Sequence, residues 1–258
     1  MDSVDFGKTG LRVSRMAIGT GTHGWAKRSE QTALGIEGLA DLLVKGLDLG
    51  INFWDAADQY GSHPHVAAAL KRVARDRVVI ATKTTAKKEK ATSREIDRFL
   101  KELGTDVLDI VLLHGLSDGN WPTKFEGPMA ALTRAQEAGK VRSVGFSCHS
   151  LSALRAGVAT PWVETVLVRI NYDGVNMDGR PDEVVPVIKQ LYDAGKAIYA
   201  MKVLGCGPLT HDVRRAIDYV LGLGTVHSLS IGVTSLAQLE EDAALIEKLA
   251  PVHPLGTA

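Results

Sequence analysis

The sequence predicts a (β/α)8 barrel, and three observations predict it. Eight short runs rich in Val, Ile and Leu recur along the chain, a stretch able to form a helix follows each, and together they fill about 240 residues, the length of one such barrel. The runs are MAIGTG, INFWDAA, RVVIATKT, VLDIVLLHG, VRSVGFSCH, VETVLVRINY, AIYAMKVLG and SLSIGVT. Apolar residues at helical spacing predict helices over 30–49, 64–75, 125–139, 183–195, 209–222 and 235–249. Thr92 with Glu95 reads as a capping box opening SREIDRFLKEL, and AGK at 138–140 and 194–196 supplies a helix stop before a strand. VDFGKTGLRVS reads as a β-hairpin turning at Gly7 to Gly10, so that residues 1–15 close the bottom of the barrel and leave the top free for chemistry. A single domain over 1–258 follows. A doubly wound sheet is the alternative. GTGTHG at 19–24 does not spell GxGxxG, and no acidic residue closes a second strand at the distance that fold requires.

Composition removes several classes of function. Basic and acidic residues balance at 30 each, so no global field draws nucleic acid, an anionic membrane or a polycationic partner, and any ligand must be recognised locally. Cys148 and Cys206 lie far apart without CxxC or zinc spacing, which fits unpaired thiols in a reducing cytosol. No apolar run approaches about 18 residues, and MDSVDFGKTG has neither a basic nor an apolar leader region, so a soluble, cytoplasmic protein is expected. Nothing in the sequence sets the oligomeric state.

Alternation along the strands locates the candidate site. Ile51, Phe53 and Asp55 share a face, as do Val79, Ala81 and Lys83, and Ile110, Leu112 and His114. Each face runs apolar, apolar, then ionisable. Three neighbouring strands that end this way gather Asp55, Lys83 and His114 at the C-terminal mouth, where barrel enzymes carry their active sites, and Tyr60 lies in the loop just beyond Asp55. Singly, each has a bland explanation: a helix cap, a solvated lysine, a core histidine, a packing tyrosine. Together they require three adjacent strands to break their apolar faces at one level by chance.

These residues carry a resemblance. FGKTGLRVSRMAIGTG, the D-A-A-x-x-Y-G of 55–61, ATK at 81–83, DIVLLH at 109–114 and VGFS at 144–147 resemble the aldo-keto reductase superfamily nearly end to end, in a short bacterial type of branch. The resemblance implies hydride transfer between NAD or NADP and a small carbonyl or alcohol substrate, with a catalytic tetrad of Asp55, Tyr60, Lys83 and His114. Tyr60 would give the proton. Lys83 is expected to pull its pKa from about 10 toward working pH, Asp55 to keep Lys83 charged, and His114 to polarise the carbonyl. By the same resemblance Ser147 and Met201 lie near the nicotinamide, Leu204, Gly205 and Gly207 near the pyrophosphate, and Gly232, Thr234, Ser235, Gln238 and Asp242 near the adenosine end. Ser235 is equally a natural helix N-cap, and Gly205 and Gly207 equally a turn.

The chain departs from the family pattern at several points. Cys148 stands where many members carry Asn, Met201 where an aromatic stacks, Gln238 where NADP-preferring members place Arg, and Asp242 where Asn is common. The link after the seventh strand and the tail are short, which implies an open pocket without a long cofactor belt or C-terminal specificity loop. Alternatives are a nucleotide-binding barrel with weak or no reductase activity, and a redox-assisted isomerase or lyase that retains NAD. A metal-dependent hydrolase drawing on His63, His65, His114, His149 and Asp55 is disfavoured by Lys83 in the same cluster; a Schiff-base lyase through Lys83 or Lys202 is a further alternative, against which Asp55 keeps Lys83 charged and a poor nucleophile. No metal is expected. Lys87, Lys88 and Lys90 read as a solvated face.

Overall fold

A computed structural model describes residues 1–256, so the expected domain limit at residue 258 lies outside the described residues. The strands β1 (Ser3–Asp5) and β2 (Arg12–Ser14) pair as an antiparallel hairpin, with Ser3 opposite Ser14. Eight further strands close a parallel barrel in chain order: β3 (Met16–Gly19), β4 (Phe53–Asp55), β5 (Val79–Thr84), β6 (Leu108–Leu116), β7 (Val141–Cys148), β8 (Thr165–Arg169), β9 (Ala197–Met201) and β10 (Ser228–Ile231). Leu229 of β10 lies opposite Met16 of β3, which completes the ring. The helices are α1 (Gly35–Asp48), α2 (His63–Leu70), α3 (Glu89–Leu103), α4 (Trp121–Lys124), α5 (Glu126–Glu137), α6 (Leu151–Val158), α7 (Pro181–Asp193), α8 (Val213–Gly222) and α9 (Leu236–Leu249). The predicted (β/α)8 barrel with its N-terminal hairpin is the observed fold.

Parallel strands covered on both faces are shut off from water along their length, and β5 is buried throughout, its polar Thr82, Lys83 and Thr84 included. One face packs on the helices, where Trp54, Ile80, Val111, Val144 and Ile198 join a continuous layer. The other fills the barrel, where Phe53, Ala81, Ile110, Leu112, Leu167 and Tyr199 meet Phe6 from the hairpin. Phe6 is fully buried and stands edge-on to Phe53 at 5.6 Å and to Tyr199 at 6.1 Å. The next residue, Gly7, donates its N–H to His227 Nε2 at 3.2 Å; its φ of +54°, and a Cβ that would fall 2.5 Å from the Ala197 nitrogen, leave room for glycine alone. These contacts shut the bottom, as the hairpin predicts.

Several local expectations are corrected. Ile51 precedes β4 and packs in the helix-facing layer, so interior alternation begins at Phe53. The capping box of Thr92 and Glu95 does not form. α3 starts four residues earlier because Lys88 is extended (φ −131°, ψ 141°) and Glu89 occupies the first turn, where a carboxylate meets the positive end of the helix. Thr92 then lies inside the helix, where its hydroxyl donates to the Lys88 carbonyl at 3.1 Å, while Glu95 accepts from the Thr84 hydroxyl. α2 begins at His63, one residue before the predicted span, and ends at Leu70; its proline falls in the first turn, where no intrahelical N–H is needed. The short α4 and α6 fall outside the predicted spans; α6 is capped by Ser150, which accepts from the Ala153 N–H at 3.1 Å.

Candidate active site

Asp55 ends β4 opposite Ala81, and Lys83 sits one interior step higher on β5, so its long side chain reaches back down. Lys83 Nζ donates to Asp55 Oδ1 at 2.7 Å and to the Ala56 carbonyl at 2.9 Å, with none of the lysine exposed. A carboxylate this deep needs partners, and Asp55 has two more donors in the Tyr199 hydroxyl at 3.0 Å and Ser230 Oγ at 3.3 Å. Burial alone would strip the proton from Lys83, but Asp55 and Tyr60 outweigh it and hold the ammonium above the ordinary lysine value. The ammonium lies 4.7 Å from the centre of the Tyr60 ring, and His114 packs edge-on against the same ring at 5.5 Å. All four residues therefore meet in one group.

The expected depression of the Tyr60 pKa is not observed. Burial pushes the phenol up by more than Lys83 pulls it down, with Asp55 adding to the rise, so Tyr60 is a neutral donor poised beside a cation. His114 is driven down to about 3 by burial, then by Lys83 and His149, and is neutral at pH 7. Its Nδ1 is buried without a protein partner. The cluster thus presents one phenol proton and one uncharged imidazole, a set suited to a carbonyl oxygen that gains negative charge.

The loop before α1 fixes Tyr60. The tyrosine ends a 3-10 turn, Asp58–Tyr60, closed by Gly61 at φ +68°. Asp58 in that turn accepts from Arg98 at 2.9 Å and from Lys27, and the Lys27 N–H donates to the Gln59 carbonyl at 2.9 Å. Gly21 and Gly24 lie flat on the ring: a Cβ at Gly21 would fall 2.3 Å from Tyr60 Cε2, and one at Gly24 2.4 Å from Cδ1.

A cavity of about 500 Å³ lies against the group, within the ordinary range for small-ligand sites. Asp55, Tyr60 and His114 line it; Lys83 does not and faces it only through Tyr60. Of the residues expected near a nucleotide, Met201, Leu204, Gly207, Gly232, Thr234 and Gln238 line the same cavity. Ser147, Gly205, Ser235 and Asp242 are not on its wall. Ser147 accepts the Gly115 N–H at 2.9 Å, and Ser235 caps α9 by accepting from Gln238 N at 3.3 Å, as its helix-cap reading has it. Gln238 Oε1 in turn accepts from the Thr234 N–H at 2.8 Å. Asp242 is buried on α9, and burial, then Glu241, raises its carboxyl to about 6.

The wall holds further residues: Gly21, Gly24, Arg169 and Ser230, which went unnoticed in the sequence, and His149 and Lys202, which the sequence offered only for metal or Schiff-base chemistry. Alternation would have found Arg169, because Thr165, Leu167 and Arg169 repeat the apolar-to-ionisable pattern of the earlier strands. Strand geometry is silent on the two glycines, whose role depends on a loop folding back over Tyr60. Of the cysteines, Cys148 is buried and held protonated by burial and Asp178, and Cys206 lines the cavity; both are free thiols. One trio of metal-ligating residue types does assemble, Asp58, His63 and Glu102, but Arg98 and Lys27 already supply its cations. Among the described residues, no helix is long and apolar enough to cross a membrane.

Comparison with known proteins agrees with this geometry. The Aldo/keto reductase family model matches residues 15–250. The NADP(+) aldo-keto reductase yakc of Schizosaccharomyces pombe is 28% identical over 70% of this chain and 56% of its own length, so the match spans little more than half of that relative. L-galactose dehydrogenase of Arabidopsis thaliana is 24% identical over 94% of this chain and 87% of its own. Among solved structures, an aldo-keto reductase from Pseudomonas aeruginosa superposes with a TM-score of 0.79 at 25% identity, covering 96% of this chain and 95% of that one.

Proposed function

The chain belongs to the aldo/keto reductase family, and from that premise we propose that it is an NAD(P)-dependent oxidoreductase acting on a small carbonyl or alcohol, with Tyr60 as the proton donor. The observation that carries this reading is the buried relay Asp55, Lys83, Tyr60, which ends on a cavity that also touches the loop after β9 and the start of α9.

The residues present fit a dinucleotide. In the loop after β9, Lys202, Gly205, Cys206 and Gly207 all have positive φ, and a Cβ on Gly207 would meet nothing within 4 Å, so ligand can approach the backbone there. The N-terminus of α9 adds a second place for negative charge, with Thr234 and Gln238 on the cavity wall. Met201 supplies a polarizable, adaptable apolar surface at the end of β9 for the nicotinamide. When bound, the nicotinamide supplies or accepts the hydride.

The protein manages the proton. As negative charge grows on the substrate oxygen, that oxygen becomes a far stronger base than a phenolate, so even a phenol with a raised pKa gives up its proton. Lys83 then steadies the phenolate, and Asp55 keeps Lys83 charged throughout. His114, neutral, donates from Nε2 or Nδ1 toward the same oxygen without bringing a competing charge.

Titration with NADH and NADPH, followed by tryptophan fluorescence, tests the reading; Trp25 lies on the cavity wall as a reporter. A panel of aldehydes, ketones and sugars on wild type and Tyr60→Phe then tests the chemistry. Tyr60→Phe should lose at least about a hundredfold in kcat while nucleotide affinity changes by less than about threefold. Unchanged turnover in Tyr60→Phe would remove the proton-donor assignment. Failure of both nucleotides to bind would remove the whole reading, and binding without turnover of any compound would favour a nucleotide-binding barrel instead.

A further inference from the structure

A second cavity, of about 260 Å³, lies beside the hairpin that shuts the bottom of the barrel, and it shares no lining residue with the cavity at the mouth. Its walls come from the two ends of the chain. Val4 belongs to β1, Ala250 and Pro251 to the 3-10 turn Ala250–Val252 that follows α9, and Pro254 and Leu255 to the segment beyond. Those five are apolar, and one buried cation stands among them. Arg15 links β2 to β3 and lines the cavity, and its carbonyl accepts the Leu229 N–H at 3.0 Å, which ties its backbone to the barrel rim. Only 3% of the residue is exposed.

Arg15 is short of partners. Its Nη2 donates to the His253 carbonyl at 3.5 Å, a long and weak contact, and its Nε is buried with no partner. Among the described residues no carboxylate is paired with it. Of the two acids on the same wall, Glu247 lies 3.5 Å from the Met1 nitrogen, and Asp2 is exposed to solvent. Burial pulls the guanidinium below its ordinary value and Tyr192 restores only part of that, yet an arginine stays charged at neutral pH. A guanidinium has five N–H donors, so most of its hydrogen-bonding capacity is unspent. A buried charge in that condition is costly unless an anion meets it.

We infer that this cavity is a binding site for a small monocarboxylate with an apolar body, a short-chain fatty acid or an aromatic acid, whose carboxylate meets Arg15. The fork of one guanidinium matches one carboxylate in a bidentate geometry. Asp2 and Glu247 repel a dianion such as a phosphate, and the apolar walls favour a hydrocarbon body over a bare inorganic ion. The volume falls just under the roughly 300 Å³ at which drug-sized sites begin, which suits a small acid. The site goes beyond the reductase reading and does not depend on it.

Calorimetric titration of the full chain with hexanoate and with benzoate tests it, with 1-hexanol, hexylammonium and inorganic phosphate as controls. At least one of the two acids should bind wild type with a Kd below about 1 mM, and at least about tenfold more tightly than 1-hexanol or phosphate. Hexylammonium should not bind. The tighter acid tells a chain from a ring as the preferred body. In Arg15→Gln its affinity should fall by at least about tenfold, and Arg15→Lys should recover part of the loss. Leu255→Asp, in the tail, sets a further carboxylate on the wall and should weaken binding by a similar factor. The same acid should raise the Tm of wild type and leave that of Arg15→Gln unchanged. Binding by neither acid overturns the inference, as does binding that survives Arg15→Gln, since the acid would then sit elsewhere, for instance in the mouth. Phosphate or 1-hexanol binding as tightly as the acids also overturns it. If Arg15→Gln loses its folded circular dichroism, Leu255→Asp and the wild-type preference for acid over alcohol decide the matter. None of these readouts needs turnover or nucleotide, so the site and the reductase reading stand or fall separately.

Discussion

At neutral pH the Tyr60 hydroxyl holds its proton and His114 is an uncharged imidazole, and these two facts fix how activity should depend on pH. For reduction the phenol must be protonated. Its pKa lies above the ordinary value of about 10, so kcat for reduction should stay flat across the neutral range and fall only in strong alkali. For oxidation the phenolate is the working form, and kcat for alcohol oxidation should climb steadily with no plateau below about pH 10. His114 adds no step between pH 5 and pH 8, because its transition near pH 3 is complete before that window opens. Steady-state profiles in both directions check this. A break in the reduction profile near pH 6.5 would mean that a histidine titrates in the step. The role of Asp55 was legible in the sequence, because a carboxylate ending an apolar strand needs a cation and alternation named Lys83. The direction of the Tyr60 shift was not, since it depends on how completely the Gly21 and Gly24 loop covers the ring.

That loop is the clearest case of an element built for one side chain. Between β3 and α1 the backbone takes positive φ at His23, Ala26 and Lys27, conformations that non-glycine residues adopt at a cost, and Lys27 ties the loop to the turn that carries Tyr60. Gly21→Ala should push the ring aside, because its Cβ would fall within 2.5 Å of three ring carbons. A displacement of about 1 Å at a reacting group costs roughly a hundredfold, so kcat should drop by about that factor, with nucleotide affinity little changed. Retention of full kcat would mean that the loop does not set the tyrosine. Strands and their faces could be read from the sequence because parallel strands carry an apolar signal at every residue. Loop geometry could not, because it is written in contacts distant along the chain. α3 shows the same limit at a helix end: Thr92 and Glu95 have capping-box spacing, but the extended Lys88 turns the chain earlier and leaves Thr92 inside the helix. At α9 the sequence left Ser235 either as a cap or as a ligand contact, and its bond to Gln238 N is that of a cap.

The molecule as a whole divides its duties between the two ends of the barrel. Phe6, Gly7 and His227 close the bottom with apolar and backbone contacts, while the top keeps its polar groups around a cavity. One ionisable group outside the relay works against global stability. Asp242 is buried on α9, and its carboxyl titrates near 6 in the folded chain against roughly 4 when unfolded. The native state therefore binds that proton more tightly. The stability the proton confers is fully present below about pH 4 and is lost as pH rises through 6, so at pH 7.5 the buried carboxylate is a net cost. Asp242→Asn removes the charge while keeping the shape. It should stabilise the protein at pH 7.5 by on the order of 1–2 kcal/mol, raising Tm by roughly 2–8 °C, and should leave Tm at pH 4 nearly unchanged. Thermal melts of both proteins at the two pH values check this, and a variant that melts lower at pH 7.5 would mean that the carboxylate has stabilising partners. Asp242 is buried and lies off the cavity wall, so Asp242→Asn should leave NADH affinity at pH 7.5 within about threefold of wild type in the same tryptophan titration, and a larger loss would mean that the carboxylate reaches the nucleotide.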